Sequence, residues 1–207
     1  PTPPTTTTTT TTAPTTSEAT VLTLQDTPGV CSGPINGIGC ASVDPDTNMA
    51  GGNPNDIVNC FDVNEFDITV PFFLDTVRFW IGDSKVAVPP SLGIKVFAGT
   101  VADGPMDDVV LYSQEITTGF AAGENSADLD MDLMIFQDQF CVGISSTAAD
   151  GGLRIQTDTT GRMDEASYLK SPACGIEEFQ SLSDSGLMDD FCIEALVSKN
   201  GSRRRYR

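Results

Sequence analysis

FCIEALV, residues 191–197, is the segment that decides the fold of this chain. Phe191, Ile193, Ala195 and Val197 recur at every second position, so in an extended backbone they fall on one face. This is the pattern of a half-buried β-strand, in which one row of side chains enters the core.

The segment FLDTVRFWI, residues 73–81, alternates in the same way. Val77, Phe79 and Ile81 share one face, and Trp80 lies on the opposite face. On an open surface Trp80 would suit a sugar or a protein partner, whereas a covering loop would make it a packing residue.

Similar short patterns recur along the chain, separated by clusters of Gly, Pro, Asn and Asp, and we find no helical period. They occupy residues 66–70, 92–98, 109–116, 127–133, 140–144 and 153–155. We therefore expect an all-β fold, an antiparallel β-sandwich of jelly-roll or immunoglobulin-like type, over residues 30–198.

The composition excludes several functional classes. The 207 residues carry a formal net charge of −18 and no His. Such a charge disfavours nucleic acid and attracts cations. Without His there is no Ser-His-Asp or Cys-His arrangement, and no pair among the 29 acidic residues has a distinctive spacing. We expect neither an enzyme nor a membrane span, because no apolar run is long enough to cross a bilayer.

Six cysteines lie in Gly-, Pro- and Asp-rich surroundings without CxxC spacing, which favours disulfides and an oxidising compartment. They are Cys31, Cys40, Cys60, Cys141, Cys174 and Cys192. The spacing suggests Cys31–Cys40 as a local pair, and then Cys141–Cys174 and Cys60–Cys192. Because the chain begins with Pro1, we also expect that a signal peptide has been removed and that the protein is secreted or displayed at the cell surface.

The first 17 residues form a Thr/Pro-rich segment with almost nothing to bury, so it cannot fold alone. Such tracts are typical of O-glycosylated stalks, although a plain linker has the same composition. The candidate O-glycosylation sites are Thr2, Thr5, Thr6, Thr7, Thr8, Thr9, Thr10, Thr11, Thr12, Thr15 and Thr16. The candidate hydroxyprolines are Pro1, Pro3, Pro4 and Pro14.

A short linker region, residues 18–29, follows this stalk and contains ATVLTLQ at residues 19–25, which predicts a strand. A Thr/Pro stalk, a short strand and a disulfide-bonded β-module together resemble subunits of extracellular glycofibrils and algal-type cell-surface glycoproteins. The resemblance implies a structural role in which copies of the chain polymerise into a fibre with covalently attached glycans. The alternative is a lectin-like or adhesion module displayed on a glycosylated stalk.

Assembly by strand donation would use Val21, Leu22 and Leu24 as anchors in a neighbour's sheet. A head-to-tail contact of this kind does not close on itself and therefore builds a filament. The same residues also suit an ordinary first strand in the chain's own sheet, so the sequence leaves both arrangements open.

Two further motifs concern cations and charge. Asp44, Asp46 and Asn48 alternate as at the start of a Ca²⁺-binding loop, but a metal-free loop of turns fits them equally well. Asp128, Asp130 and Asp132 also alternate, which in a strand places acids on the solvent face. The basic tail, residues 199–207, contains an N-glycosylation sequon at Asn200 and five of the eleven basic residues, and it suits proteolytic processing or contact with an acidic surface.

Overall fold

The computed structural model describes residues 20–24, 28–31, 37–39, 41–43, 50–52, 54–82, 91–117, 119–146, 153–158, 166–187 and 189–199. The strands are β1 Thr20–Thr23, β2 Ala41–Val43, β3 Ala50–Gly52, β4 Asn55–Asp62, β5 Phe72–Ile81, β6 Leu92–Thr100, β7 Gly104–Ile116, β8 Gly123–Ile135, β9 Gln139–Ser146, β10 Thr157–Asp158, β11 Ser167–Ser171, β12 Ile176–Ser181, β13 Asp190–Phe191 and β14 Ile193–Ser198. The predicted all-β antiparallel sandwich is confirmed.

Two sheets form the sandwich. One has four strands in the order β1-β14-β5-β8, and the other has six in the order β12-β11-β4-β9-β6-β7. The strand pairs within both sheets are antiparallel, with β4 beside β9 in one sheet and β5 beside β8 in the other. The successive strands β4 and β5 lie in different sheets, and they pair with the later strands β9 and β8, respectively. This nested pairing across two sheets is the arrangement found in a jelly roll.

The core lies between the sheets and is built from the alternating residues. Phe191, Ile193 and Ala195 are fully buried, as their period predicts. The Phe140 ring of the six-stranded sheet lies 5.6 Å from the Phe72 ring of the four-stranded sheet and 6.0 Å from that of Phe61. Tilted aromatic contacts of this kind stabilise a core beyond the area they bury.

Several strand boundaries differ from expectation. Residues 66–70 do not form a strand, because Asp62 caps a 3-10 turn at Val63–Phe66 and Asp67 adopts a left-handed φ of 54°. Ile155 forms isolated bridges instead of a strand. The predicted final strand is interrupted at Cys192, whose backbone N–H donates to the Gln156 carbonyl.

The outer face of the six-stranded sheet carries a second, smaller core beneath the β6–β7 hairpin. Its buried members are Val58, Cys60, Phe97, Cys141 and Tyr168. The hairpin lies close over this cluster, since the Tyr168 hydroxyl donates to the Val101 carbonyl at 2.6 Å. A Cβ at Gly104, where φ is +79°, would come within 2.6 Å of the Tyr168 ring.

The cysteine pairing corrects the expected one. Cys31 is bonded to Cys192 and Cys60 to Cys141, so all three expected pairs are wrong. Cys174 is also disulfide-bonded, and Cys40 lies outside the described residues. Cys60 and Cys141 are directly opposite in the β4–β9 register. Cys31 reaches Cys192 because β1 pairs with β14 and Gly29, in the loop after β1, donates to Glu194 on β14.

The first strand lies in the chain's own sheet, which is the ordinary first-strand arrangement of the two that the sequence leaves open. β1 pairs with β14 over four residues, and Leu22 and Leu24 are buried there while Val21 is partly exposed. The loop after β1 is held in place by the Cys31–Cys192 disulfide. Leu22 and Leu24 thus pack into the main core of the sandwich.

The packing over Gly104 gives the first testable prediction. Gly104→Ala should destabilise the protein by more than the roughly 1–2 kcal/mol that a left-handed backbone costs an L-residue, because the new Cβ also strikes the Tyr168 ring. Gly123→Ala is the matched control, since its φ is +96° but no neighbouring atom lies within 4 Å of where its Cβ would be. Urea unfolding of both variants measures the difference, and equal losses would contradict the packing described.

Candidate functional site

Most of the residues predicted to be modified or to bind a cation lie outside the described residues. These are the stalk residues from Pro1 to Thr16, the calcium-loop candidates Asp44, Asp46 and Asn48, and the sequon at Asn200. The structure therefore provides information on candidate sites in the sandwich, and not on these residues. There, Asp128, Asp130 and Asp132 are exposed as expected, and Trp80 is buried at 6% exposure, as the covering-loop alternative requires.

A fully buried carboxylate lies beneath the loop that follows β1. Glu194 accepts a hydrogen bond from the Gly29 backbone N–H at 2.6 Å and pairs with Arg78 at 3.0 Å. Burial raises the pKa of Glu194 above its ordinary value of 4.5, although the Gly29 hydrogen bond and Arg78 favour the charged form. This carboxylate joins the loop, β5 and β14, and it has no exposed surface on which to act chemically.

A second polar cluster lies inside the sandwich and superficially resembles a catalytic arrangement. The Ser167 hydroxyl lies 2.8 Å from Asn59 Oδ1 and 3.2 Å from Asp190 Oδ1. Asn59 Nδ2 donates to the carbonyls of Phe191 and Ile193 at 2.7 and 3.1 Å. All three polar side chains are buried, so this cluster joins strands and is not positioned to meet a substrate.

An acidic groove opens between the β6–β7 hairpin and β12. It measures about 470 Å³ and is lined by Asp103, Pro105, Asp107, Asp108, Glu178 and Phe179. Lys170 pairs with Asp107 and lies 5.8 Å from the centre of the Phe179 ring. The hydrogen bond to Asp107 raises the pKa of Lys170 above its ordinary value. The groove is thus suited to cationic groups with apolar stems.

An apolar hollow adjoins the acidic groove, and the two share Asp103. The hollow measures about 570 Å³ and lies where the β6–β7 hairpin meets the β8–β9 turn, between Met106 and Gln137. Half of Met106 is exposed, and Gln137 Nε2 is buried without a hydrogen-bond partner among the described residues. No sequence pattern indicates this hollow, because it depends on how two distant turns meet.

Exposed apolar side chains line the neighbouring edge of the sandwich. We call Leu111, Met131, Met134 and Phe136 the apolar edge patch; Phe136 is the most exposed, at 71%. The Tyr112 hydroxyl lies 2.6 Å from Asp130 Oδ1, so β7 and β8 lie close together at this edge of the sandwich. β7 and β8 are also the edge strands of their sheets, each 13 residues long.

The chain matches no known family model, no curated protein and no solved structure. Within the described ranges, no three or more Cys, Asp or Glu side chains are grouped so as to hold a metal ion. No helix in the described part of the chain is long and apolar enough to cross a membrane. Any function must therefore be argued from the chain's own surfaces.

The buried carboxylate gives a pH prediction. Because the pKa of Glu194 is higher in the folded state, that state binds more protons just above pH 4.5. The contribution of Glu194 to the free energy of unfolding is therefore complete below this pH and declines as the pH rises through the raised pKa. Glu194→Gln removes this titration.

The measurement is urea unfolding of the native chain and Glu194→Gln between about pH 4 and pH 7. The stability of the variant relative to the native chain should increase with pH, with a slope of at most about 1.4 kcal/mol per pH unit. A difference that stays constant across this range would contradict the raised pKa.

Proposed function

We propose that this chain is a structural subunit of an extracellular, glycosylated fibril and that copies of it associate through the apolar edge patch. The observation that carries the proposal is the exposure of Met131, Met134 and Phe136 along one edge of a disulfide-bonded sandwich. Exposed apolar side chains that are grouped along one edge of a domain are a common sign of protein–protein contact. The Thr/Pro stalk would then coat the assembled fibre with glycans.

The disulfides support an extracellular setting. Cys31–Cys192 spans 161 residues and Cys60–Cys141 spans 81. On the chain-entropy model, bonds closing loops of this size stabilise a fold by about 4–5 kcal/mol each. Such bonds persist in oxidising compartments and are rare in reducing ones.

The acidic residues along the edges determine the conditions for assembly. Glu115 on β7 and Asp128, Asp130 and Asp132 on β8 are exposed near the apolar edge patch. Charged side chains on edge strands oppose edge-to-edge association at low ionic strength. We therefore propose that assembly requires screening, which becomes effective near 0.15 M salt, where the Debye length is about 8 Å.

The alternative function, a lectin-like or adhesion module, is less well supported. Trp80, the only Trp in the chain, would be the strongest sugar-stacking group on the sandwich, but it is buried. An adhesion module would be monomeric and retained on a glycan column, whereas a fibril subunit would form regular filaments. Electron microscopy and glycan-column chromatography of the native protein distinguish these two functions.

Substitution in the apolar edge patch tests the proposed contact. Met134→Asp/Phe136→Asp should abolish filaments. Each substitution removes roughly 2 kcal/mol of apolar burial from the contact between two copies, and the new carboxylates repel the acidic residues of the neighbouring copy. Both side chains are exposed, so the melting temperature of the monomer should change little. Sedimentation velocity and microscopy at about 0.15 M NaCl provide the measurement.

Leu187→Asp is the matched control, since Leu187 is an exposed apolar residue in the turn before β13. This control should assemble like the native chain. If the patch variant still forms filaments, the apolar edge patch is not the contact; if the native chain forms none in any salt concentration, the fibril proposal itself fails.

The stalk gives a separate prediction. In protein isolated from its native source, the peptide containing Thr5 to Thr12 should be heavier than its sequence mass, because the run of hydroxyls carries O-glycans. Electron-transfer fragmentation locates the modified residues. The same peptide from bacterially produced protein is the control, and an unmodified native peptide would contradict the stalk assignment.

A further inference from the structure

The end groove is the surface formed by the apolar hollow at Met106 and Gln137 together with the adjoining acidic groove at Asp108 and Glu178. We propose that the chain's own basic segment, residues 199–207, docks in the end groove. This segment lies in sequence directly after β14, and its residues beyond Lys199 are outside the described part of the chain.

The strand register places the start of the segment at the same end of the sandwich as the end groove. Ser198 pairs with Phe73, and Phe73 pairs with Met134, so β14 and β8 end at the same end of the sheet, with β5 between them. In the six-stranded sheet, Phe140 pairs with Ala98. The next residue, Gly99, lies where the two strands of the β6–β7 hairpin approach each other closely. The contact between the Phe72 and Phe140 rings joins these two sheet ends.

The length of the segment is sufficient for the distance involved. Eight residues follow Lys199, and an extended chain spans about 3.3–3.6 Å per residue, or nearly 30 Å in total. Packed sheets are separated by about 10 Å. The segment can therefore pass from the end of the four-stranded sheet to the outer face of the six-stranded sheet.

The charges of the two partners are complementary. The segment contributes Lys199, Arg203, Arg204, Arg205 and Arg207. The end groove offers four carboxylates, of which Asp107 pairs with Lys170; among the described residues, Asp108 and Glu178 have no ion pair. Planar guanidinium groups bind carboxylates in a bidentate manner and stack on aromatic rings such as that of Phe179.

The apolar part of the end groove matches the rest of the segment. Tyr206 is its one aromatic residue, and the half-exposed Met106 gives that ring a soft apolar contact. A backbone crossing the hollow also brings carbonyl acceptors close to Gln137 Nε2, which has no acceptor among the described residues. The occupant is the chain's own segment because a short tether raises its local concentration to the millimolar range.

Limited trypsin digestion of the full chain tests the docking. In dilute salt, cleavage after Arg203, Arg204 and Arg205 should be slow, because these side chains are held in the end groove. Asp108→Asn/Glu178→Gln should accelerate release of the segment about tenfold, since two exposed ion pairs are lost. Salt near 1 M, where the Debye length is about 3 Å, should accelerate cleavage of the native chain similarly.

The matched control is Glu115→Gln/Asp132→Asn, which removes two exposed acids on β7 and β8 that do not line the end groove. It should be cleaved at the native rate. Equal rates in the native chain, the groove variant and the control would overturn the proposal. The native rate should not depend on protein concentration between about 1 and 100 μM; protection that increases with concentration would also overturn it, because the occupant would then be a second copy.

Hydrogen exchange gives an independent measurement that does not depend on trypsin. A chain ending at Lys199 retains all fourteen strands, so it should remain folded. Backbone amides of residues 98–108 should exchange faster in this shortened chain, while those of residues 124–130 should not change. Unchanged exchange at residues 98–108 in the folded shortened chain would overturn the proposal. Filament formation is recorded separately, so failure of the docking is distinguishable from failure of the fibril proposal.

Discussion

The buried amide of Asn59 is the interaction on which much of this structure depends. It lies on a central strand of the six-stranded sheet and donates to the carbonyls of Phe191 and Ile193, on either side of Cys192. Removing such a donor from a buried site leaves its acceptors unsatisfied, at a cost of about 1–3 kcal/mol. Through this contact, β14 is positioned over the sheet that faces it.

Cys192 itself connects further parts of the molecule. Its N–H donates to the Gln156 carbonyl, its carbonyl accepts from the Trp80 N–H, and its sulfur is bonded to Cys31. The loop after β1, the end of β5 and the buried segment near Gln156 therefore converge on one residue.

The alternation in the sequence predicted strands that have one row of core side chains, but it missed a strand that is buried on both faces. The alternation in residues 73–81 and 191–197 indicated β5, β13 and β14, because solvent or a polar loop covers one side. β4 was missed, since Ile57, Val58, Cys60 and Phe61 are all buried and show no alternation. The outer face of β4 is buried by the second core beneath the β6–β7 hairpin, as occurs in sheets that are covered on both sides.

The candidate surfaces were harder to predict than the strands. The apolar edge patch consists of residues that a strand pattern assigns equally well to the core, and only the position of β8 at a sheet edge exposes them. The end groove combines Met106 and Gln137, which are 31 positions apart in sequence, with Glu178 from another strand. The disulfide pairing was equally hard to predict, because the long-range pairing of β1 with β14 brings Cys31 close to Cys192.

The Cys31–Cys192 bond closes one covalent ring between two residues that are 161 positions apart in the chain. A protease that cuts any single loop inside this ring opens it but releases no fragment, because both new pieces remain joined through the bond. The sheets, which pair strands from both sides of most loops, would hold the cut ends in place. A protein exposed to extracellular proteases could therefore sustain one such cut and still retain its sandwich.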